Sequence, residues 1–271
     1  MEQVAGVRHV RLTTGVNLAY TSTGHRSATT VLLLHAWAES RRSFDRLLRL
    51  LPDTVHAIAI DQRGHGDAER PTVGYSLECL AEDVETFMNA AGISSAVLLG
   101  SSSGGYVAQQ VAIRSPNRVA GLVLVGSPRT LQGRPSFADE VERLTDPVDA
   151  AWVRKSLTWF PRFHPVPRWY IDDRVRDGAR IPAHVWREAL NGLTAARPPT
   201  DVATITAPTL ILWGDHDELL TRDDEERLAA VIPDSRLIVY EQTGHLVLWE
   251  QPERLASDLT SFIECLDERP H

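Results

Sequence analysis

Short apolar runs alternate with segments of helical periodicity through most of this chain, and that alternation limits the fold more than any other feature. Runs at 30–34 (TVLLL), 56–60 (HAIAI), 96–99, 121–125 (GLVLV), 209–213 (TLILW) and 237–240 are short and continuously apolar, as strands buried on both faces must be. Between them Phe44, Leu47, Leu48 and Leu51 recur at i, i+3, i+4 and i+7, and Leu77, Leu80, Ala81, Val84 and Met88 repeat similarly behind a Ser76 N-cap. Further helices are expected over 104–114 and 222–231 and from Pro252 through Ile263. Two stretches at 7–13 and 16–22, separated by Thr14 and Gly15, read as an antiparallel hairpin at one edge. The expectation is an α/β fold with a mostly parallel eight-stranded sheet flanked by helices.

The segment 129–200 breaks the rhythm. It holds Trp152, Trp159, Trp169 and Trp186, four of the seven tryptophans, and no strand-like run. Since strands resume after it, it is expected to be a helical cap over a core formed by 1–128 and 201–271. The chain's 271 residues also allow two small units, so the resumption of the pattern decides.

Composition excludes several classes of function. A formal charge of −8, without long runs of either sign, disfavours binding to a phosphate backbone. Lys155 is the single lysine, leaving no phosphate-loop lysine in a suitable context. Cys79 and Cys265 form no CxxC pair and are expected to be packed, reduced thiols. The first 20 residues lack the apolar stretch of a secretion signal, and no run approaches the roughly 20 residues of a membrane helix. A cytoplasmic protein without cofactor, nucleic-acid or membrane partner is the expectation.

Gly100-Ser101-Ser102-Ser103-Gly104 has the spacing GxSxG, between a predicted strand and a predicted helix. Small residues on both sides let the backbone fold back tightly and present Ser102 at the corner. A serine hydroxyl is a weak nucleophile at neutral pH and requires a base, itself oriented by a third group. Two downstream turns after predicted strands offer these partners: Gly214-Asp215-His216-Asp217 and Gly244-His245. The acids and histidine of the first turn are too close in sequence to converge on one ion, so no metal site is expected.

In the order Ser102, Asp217, His245, these motifs resemble the α/β-hydrolase superfamily over nearly the whole chain. The resemblance implies Ser102 as nucleophile, His245 as base and Asp217 as the orienting acid, with Asp215 as the fallback. It also implies an oxyanion hole from the N–H groups of Ser103 and Trp37, although His35-Ala36-Trp37 carries Ala where the family has Gly. The Asp61-Gln62-Arg63-Gly64-His65-Gly66 turn resembles the family's DxRGxG segment, which shapes the neighbourhood of the site. Serine at position 102 separates the chain from dehalogenases and epoxide hydrolases on this fold, whose nucleophile is aspartate. Cofactor-free dioxygenases on the fold place their acid after the sixth strand, where this chain has Gly126-Ser127-Pro128.

The function implied is hydrolysis of a small to medium carboxylic ester or lactone through an acyl-enzyme. Carbon–carbon bond hydrolysis, perhydrolysis and ligand reception with a retained triad are the alternatives. Trp152, Phe160, Trp169, Tyr170 and Trp186 of the cap are the candidate substrate contacts, suggesting an apolar or aromatic substrate. His164 and His184 are further cap residues within the range of candidates.

Overall fold

The computed structural model describes residues 6–133 and 135–268. Eight strands form one sheet: β1 (Arg8–Arg11), β2 (Asn17–Thr23), β3 (Thr29–Leu34), β4 (Val55–Ile60), β5 (Ala96–Ser101), β6 (Val119–Val125), β7 (Thr209–Gly214) and β8 (Ser235–Tyr240). Their order is β1-β2-β4-β3-β5-β6-β7-β8, with β2 antiparallel to both β1 and β4 and all other neighbours parallel. The α/β reading and the edge hairpin therefore hold.

Alternation along the strands divides the core between the two faces of the sheet. Leu32, Leu34, Leu98, Leu122, Leu124 and Ile211 pack under helices Leu77–Ala90, Ser103–Arg114 and Arg222–Val231. Val31, Leu33, Val97, Leu99, Val123 and Leu212 pack on the other side, beneath helix Pro252–Asp267. Ser76 accepts a hydrogen bond from the Cys79 N–H, capping Leu77–Ala90 as its position in the sequence suggests.

Among the described residues between β6 and β7 there is no strand. The chain there forms helices Ala138–Glu142, Ala150–Ser156, Arg168–Ala179, Ala183–Ala195 and Pro199–Val202, several of which share a third apolar cluster containing Val153, Val185 and Trp186.

Two expectations are met only in part. The 44–51 segment forms a 3₁₀ turn, Arg41–Phe44, followed by only one helical turn, Asp45–Leu48. The Ser40 hydroxyl caps that 3₁₀ turn by accepting from the Arg42 N–H, so the chain begins to coil before the periodic residues start. Both cysteines are free, but Cys265 is exposed rather than packed, lying on the outer face of the terminal helix. Among the described residues, no helix is long and apolar enough to cross a membrane.

Candidate active site

Ser102 sits between the end of β5 and the start of helix Ser103–Arg114, with φ 49° and ψ −121°. A non-glycine residue in such a conformation costs about 1–3 kcal/mol, so the surroundings must hold it there. The Ser102 N–H donates to the Val125 carbonyl at 2.8 Å, and the Ser102 carbonyl accepts from Gly105 N–H at 2.9 Å. A Cβ on Gly100 would lie 2.3 Å from the Gly105 backbone, and one on Gly104 would lie 2.2 Å from the Leu34 carbonyl oxygen. The two flanking glycines are thus required by backbone contact.

The Ser102 hydroxyl lies 2.9 Å from His245 Nε2, and His245 Nδ1 lies 2.7 Å from Asp217 Oδ2. Asp217 Oδ1 accepts the N–H groups of Leu219 and Leu220 at 2.8 and 3.0 Å. With Oδ1 so occupied, Oδ2 faces the ring, and a proton on Nδ1 leaves Nε2 as an acceptor for the serine hydroxyl. The structure brings together three side chains 28 and 143 residues apart in pairs. Asp215, by contrast, bonds to neighbouring His216 at 2.6 Å and to the Thr243 N–H, bracing the two turns against each other.

Glu250 fixes the histidine loop from below. Its Oε1 accepts the Gly244 N–H at 3.0 Å, while Oε2 accepts Phe163 N–H at 2.6 Å and His164 N–H at 2.9 Å. One buried carboxylate therefore ties the segment between β6 and β7 to the residue preceding His245.

The Ser103 N–H opens its helix, where amides lack intrahelical partners. The Trp37 N–H points at the Ser103 side chain, donating to its Oγ at 2.6 Å. The two predicted anion donors are adjacent, with the Ser103 hydroxyl on one of them. In the loop bearing Trp37, Ala36 is not in the left-handed region; Ala38 takes that conformation instead, with φ 64°. The alanine at the usual glycine position is accommodated because the positive φ falls two residues later.

His35 explains the loop's fixed shape. Its Nδ1 pairs with the Ala36 carbonyl at 2.8 Å, so Nε2 is free to accept the Gln62 N–H at 3.0 Å. Burial pushes its pKa down to about 4, as a neutral scaffold imidazole requires. Asp61, the first residue of the DxRGxG-like turn, accepts Arg41 and Asp67 backbone N–H groups at 2.7 and 2.9 Å. Both residues hold turns together.

Ser102, Ser103 and His245 line one cavity. Its walls are mainly aromatic and aliphatic, a composition suited to an organic ligand. Of the five residues of 129–200 named from the sequence, Phe160 and Trp186 line it. The Phe160 ring lies 5.2 Å from that of His245. Trp152 packs edge-on against Trp159 and Trp186, behind the wall. Tyr170 is buried elsewhere, donating its hydroxyl to the Ser43 carbonyl at 2.6 Å, and Trp169 is exposed. His164 and His184 do not line the cavity.

Trp37, Phe137, Trp159 and Trp249 also line it, as do Glu39 and Arg174. Trp249 lies four residues after His245, so its proximity was detectable from spacing. Trp37 was already placed at the site as an oxyanion-hole donor, whereas Phe137, Trp159, Glu39 and Arg174 carry no such sequence signal.

A profile of the alpha/beta hydrolase fold matches residues 29–252, and the chain belongs to that family. It is 27% identical to an uncharacterized hydrolase of Bacillus subtilis, covering 97% of this chain and 100% of the relative. A non-heme chloroperoxidase of Streptomyces lividans is 28% identical over 92% of this chain and 97% of its own length. Among solved structures, a thermophilic esterase from Thermogutta terrifontis is 26% identical with a TM-score of 0.80, covering 97% of this chain and 99% of that one.

Proposed function

We propose that this protein is a serine hydrolase that cleaves a small to medium, apolar or aromatic carboxylic ester or lactone, with 129–200 acting as a cap over the site. The observation that carries this reading is the hydrogen-bonded row Ser102–His245–Asp217, ending at a cavity with mainly apolar walls. Esterases among the structural relatives agree with it.

In the first half-reaction His245 Nε2 takes the Ser102 proton as Oγ attacks the carbonyl carbon, and Asp217 stabilises the imidazolium. The tetrahedral oxyanion is received by the N–H groups of Ser103 and Trp37, each commonly worth about 3–4 kcal/mol in the transition state. For this the Ser103 hydroxyl must turn away from the Trp37 N–H it now accepts. His245 then protonates the departing alcohol. In the second half it activates water, which releases the acid and restores Ser102. A lactone follows the same course with the alcohol retained in the product.

p-Nitrophenyl acetate should give a stoichiometric burst followed by steady turnover. Replacing Ser102→Ala should lower kcat about 10⁶-fold. Stabilisation by esters without turnover would instead identify a ligand receptor. An unchanged rate in Ser102→Ala would reject the mechanism.

A further inference from the structure

Glu250 joins two segments that the chemistry needs at a set separation. It ends the short helix Val247–Glu250 that follows the histidine, and it is 5% exposed. One carboxyl oxygen takes the Gly244 N–H, and the other takes the N–H groups of both Phe163 and His164. Residues 160–164 form no regular secondary structure, so such contacts must fix where they lie.

Three further contacts close the same junction. Gln251 Nε2 lies 3.2 Å from His164 Nε2 and donates to the hydroxyl of Thr243, the residue before Gly244. The Phe163 ring lies 4.7 Å from that of His216, in the turn that carries Asp217. A Cβ on Gly244 would collide with the Pro161 carbonyl oxygen, so only glycine lets the two backbones approach this closely. At the head of the segment, Phe160 lines the cavity with its ring 5.2 Å from that of His245. Wall and base therefore share one anchor.

We infer that Glu250 is a positioning residue for the hydrolysis, setting the separation of Phe160 and His245 so that the substrate wall and the base are placed as one unit. This rests on the proposed ester hydrolysis and adds a residue that determines both its rate and its selectivity. Asp217 orients the imidazole through Nδ1, whereas Glu250 acts through the backbone on both sides of the gap. A carboxylate suits this task because it offers two acceptor oxygens to three donors and makes charge-assisted bonds. A glutamine amide has one acceptor oxygen, and its NH₂ would face an N–H on one side of the junction. One segment is then released whichever way the amide turns.

The test compares Glu250→Gln with wild type on p-nitrophenyl acetate and p-nitrophenyl phenylacetate, with active sites counted by fluorophosphonate titration. On the acetate, kcat should fall about tenfold or more with KM unchanged, as a small displacement of the base requires. The ratio of kcat/KM for the phenylacetate to that for the acetate, which a misfolded fraction cannot alter, should fall about fivefold, as it should in Phe160→Ala. In a Phe160→Ala background Glu250→Gln should lower the ratio no further, because it acts through that ring. Gly244→Ala forces the junction apart from its other side and should lower the ratio in the same way, including where Glu250→Gln does not fold. An unchanged ratio in the folded variants, or the same fall with and without Phe160, would overturn the inference. If wild type hydrolyses neither ester, the esterase reading fails separately, and amide hydrogen exchange decides. Glu250→Gln should speed exchange in peptides covering 160–164 and 243–246 together, and unchanged protection in either removes the coupling.

Discussion

The site is built from two regions that are fixed in different ways. Ser102, Asp217 and His245 stand on turns that directly follow strands β5, β7 and β8, and backbone hydrogen bonds within the sheet set their separations. The opposite wall comes from helices between β6 and β7, held by aromatic packing such as Phe137 stacked on Trp159 at 4.5 Å. A sheet locates a side chain by register; a helix locates it by packing, where a rotation of part of a turn exchanges an inner residue for a wall residue. Trp152 and Trp186 illustrate this, since they touch edge-on at 5.2 Å yet only the second faces the cavity.

The comparison predicts large, specific effects on the strand side. Asp217→Asn preserves shape, but an amide NH₂ facing Nδ1 favours the wrong imidazole tautomer. It should lower kcat about 10⁴-fold while substrate binding changes little, measured on p-nitrophenyl butyrate. A loss below tenfold would mean that Asp217 does not orient His245, and that the row is only packing.

A second strand-side prediction concerns stability. Glu225, on helix Arg222–Val231, is fully buried with neither carboxyl oxygen paired. Burial first, and then the charges of Asp217 and Asp224, push its pKa from 4.5 up to about 9. Its folded pKa is therefore above its unfolded value, so the folded state binds the extra proton between these limits. Stability from this group is fully present below about pH 4.5 and declines as pH rises toward 9. Glu225→Met should remove that slope, its gain over wild type in urea melts growing from roughly 1 kcal/mol at pH 5 to about 5 kcal/mol at pH 8. Parallel wild-type and variant profiles would show that the carboxyl is already solvated.

On the helical side the expected effects are smaller and depend on substrate. Phe160→Ala should reduce kcat/KM for phenyl-containing esters about tenfold and for acetates about twofold, because it removes one apolar wall contact. The paired change Trp152→Ala should act mainly through stability. If the two variants show the same substrate profile, the assignment of wall and backing residues is wrong.

The difference between the regions also explains what the sequence could reveal. The GxSxG corner was legible because only glycine fits at Gly100 and Gly104, and the turns of Asp217 and His245 were legible because each follows an apolar run. Asp217 lies against His245 Nδ1, while Asp215 pairs with His216. Aromatic residues in 129–200 announced an apolar wall, but their spacing could not separate Phe160 and Trp186 from Trp152, Trp169 and Tyr170. Glu39 and Arg174 were missed because each reads alone as an ordinary surface residue. Only folding places both on the wall of one cavity. The position of the Ser103 hydroxyl on the Trp37 N–H likewise depends on a side-chain rotation that no pattern encodes.

Three consecutive serines, Ser101, Ser102 and Ser103, make the identity of the nucleophile the sharpest question. Treating the protein with a fluorophosphonate and mapping the adduct by peptide mass spectrometry answers it directly. One equivalent on Ser102, lost in Ser102→Ala, is the predicted result. Labelling at Ser101 or Ser103, or undiminished labelling of the Ser102→Ala protein, would contradict the account.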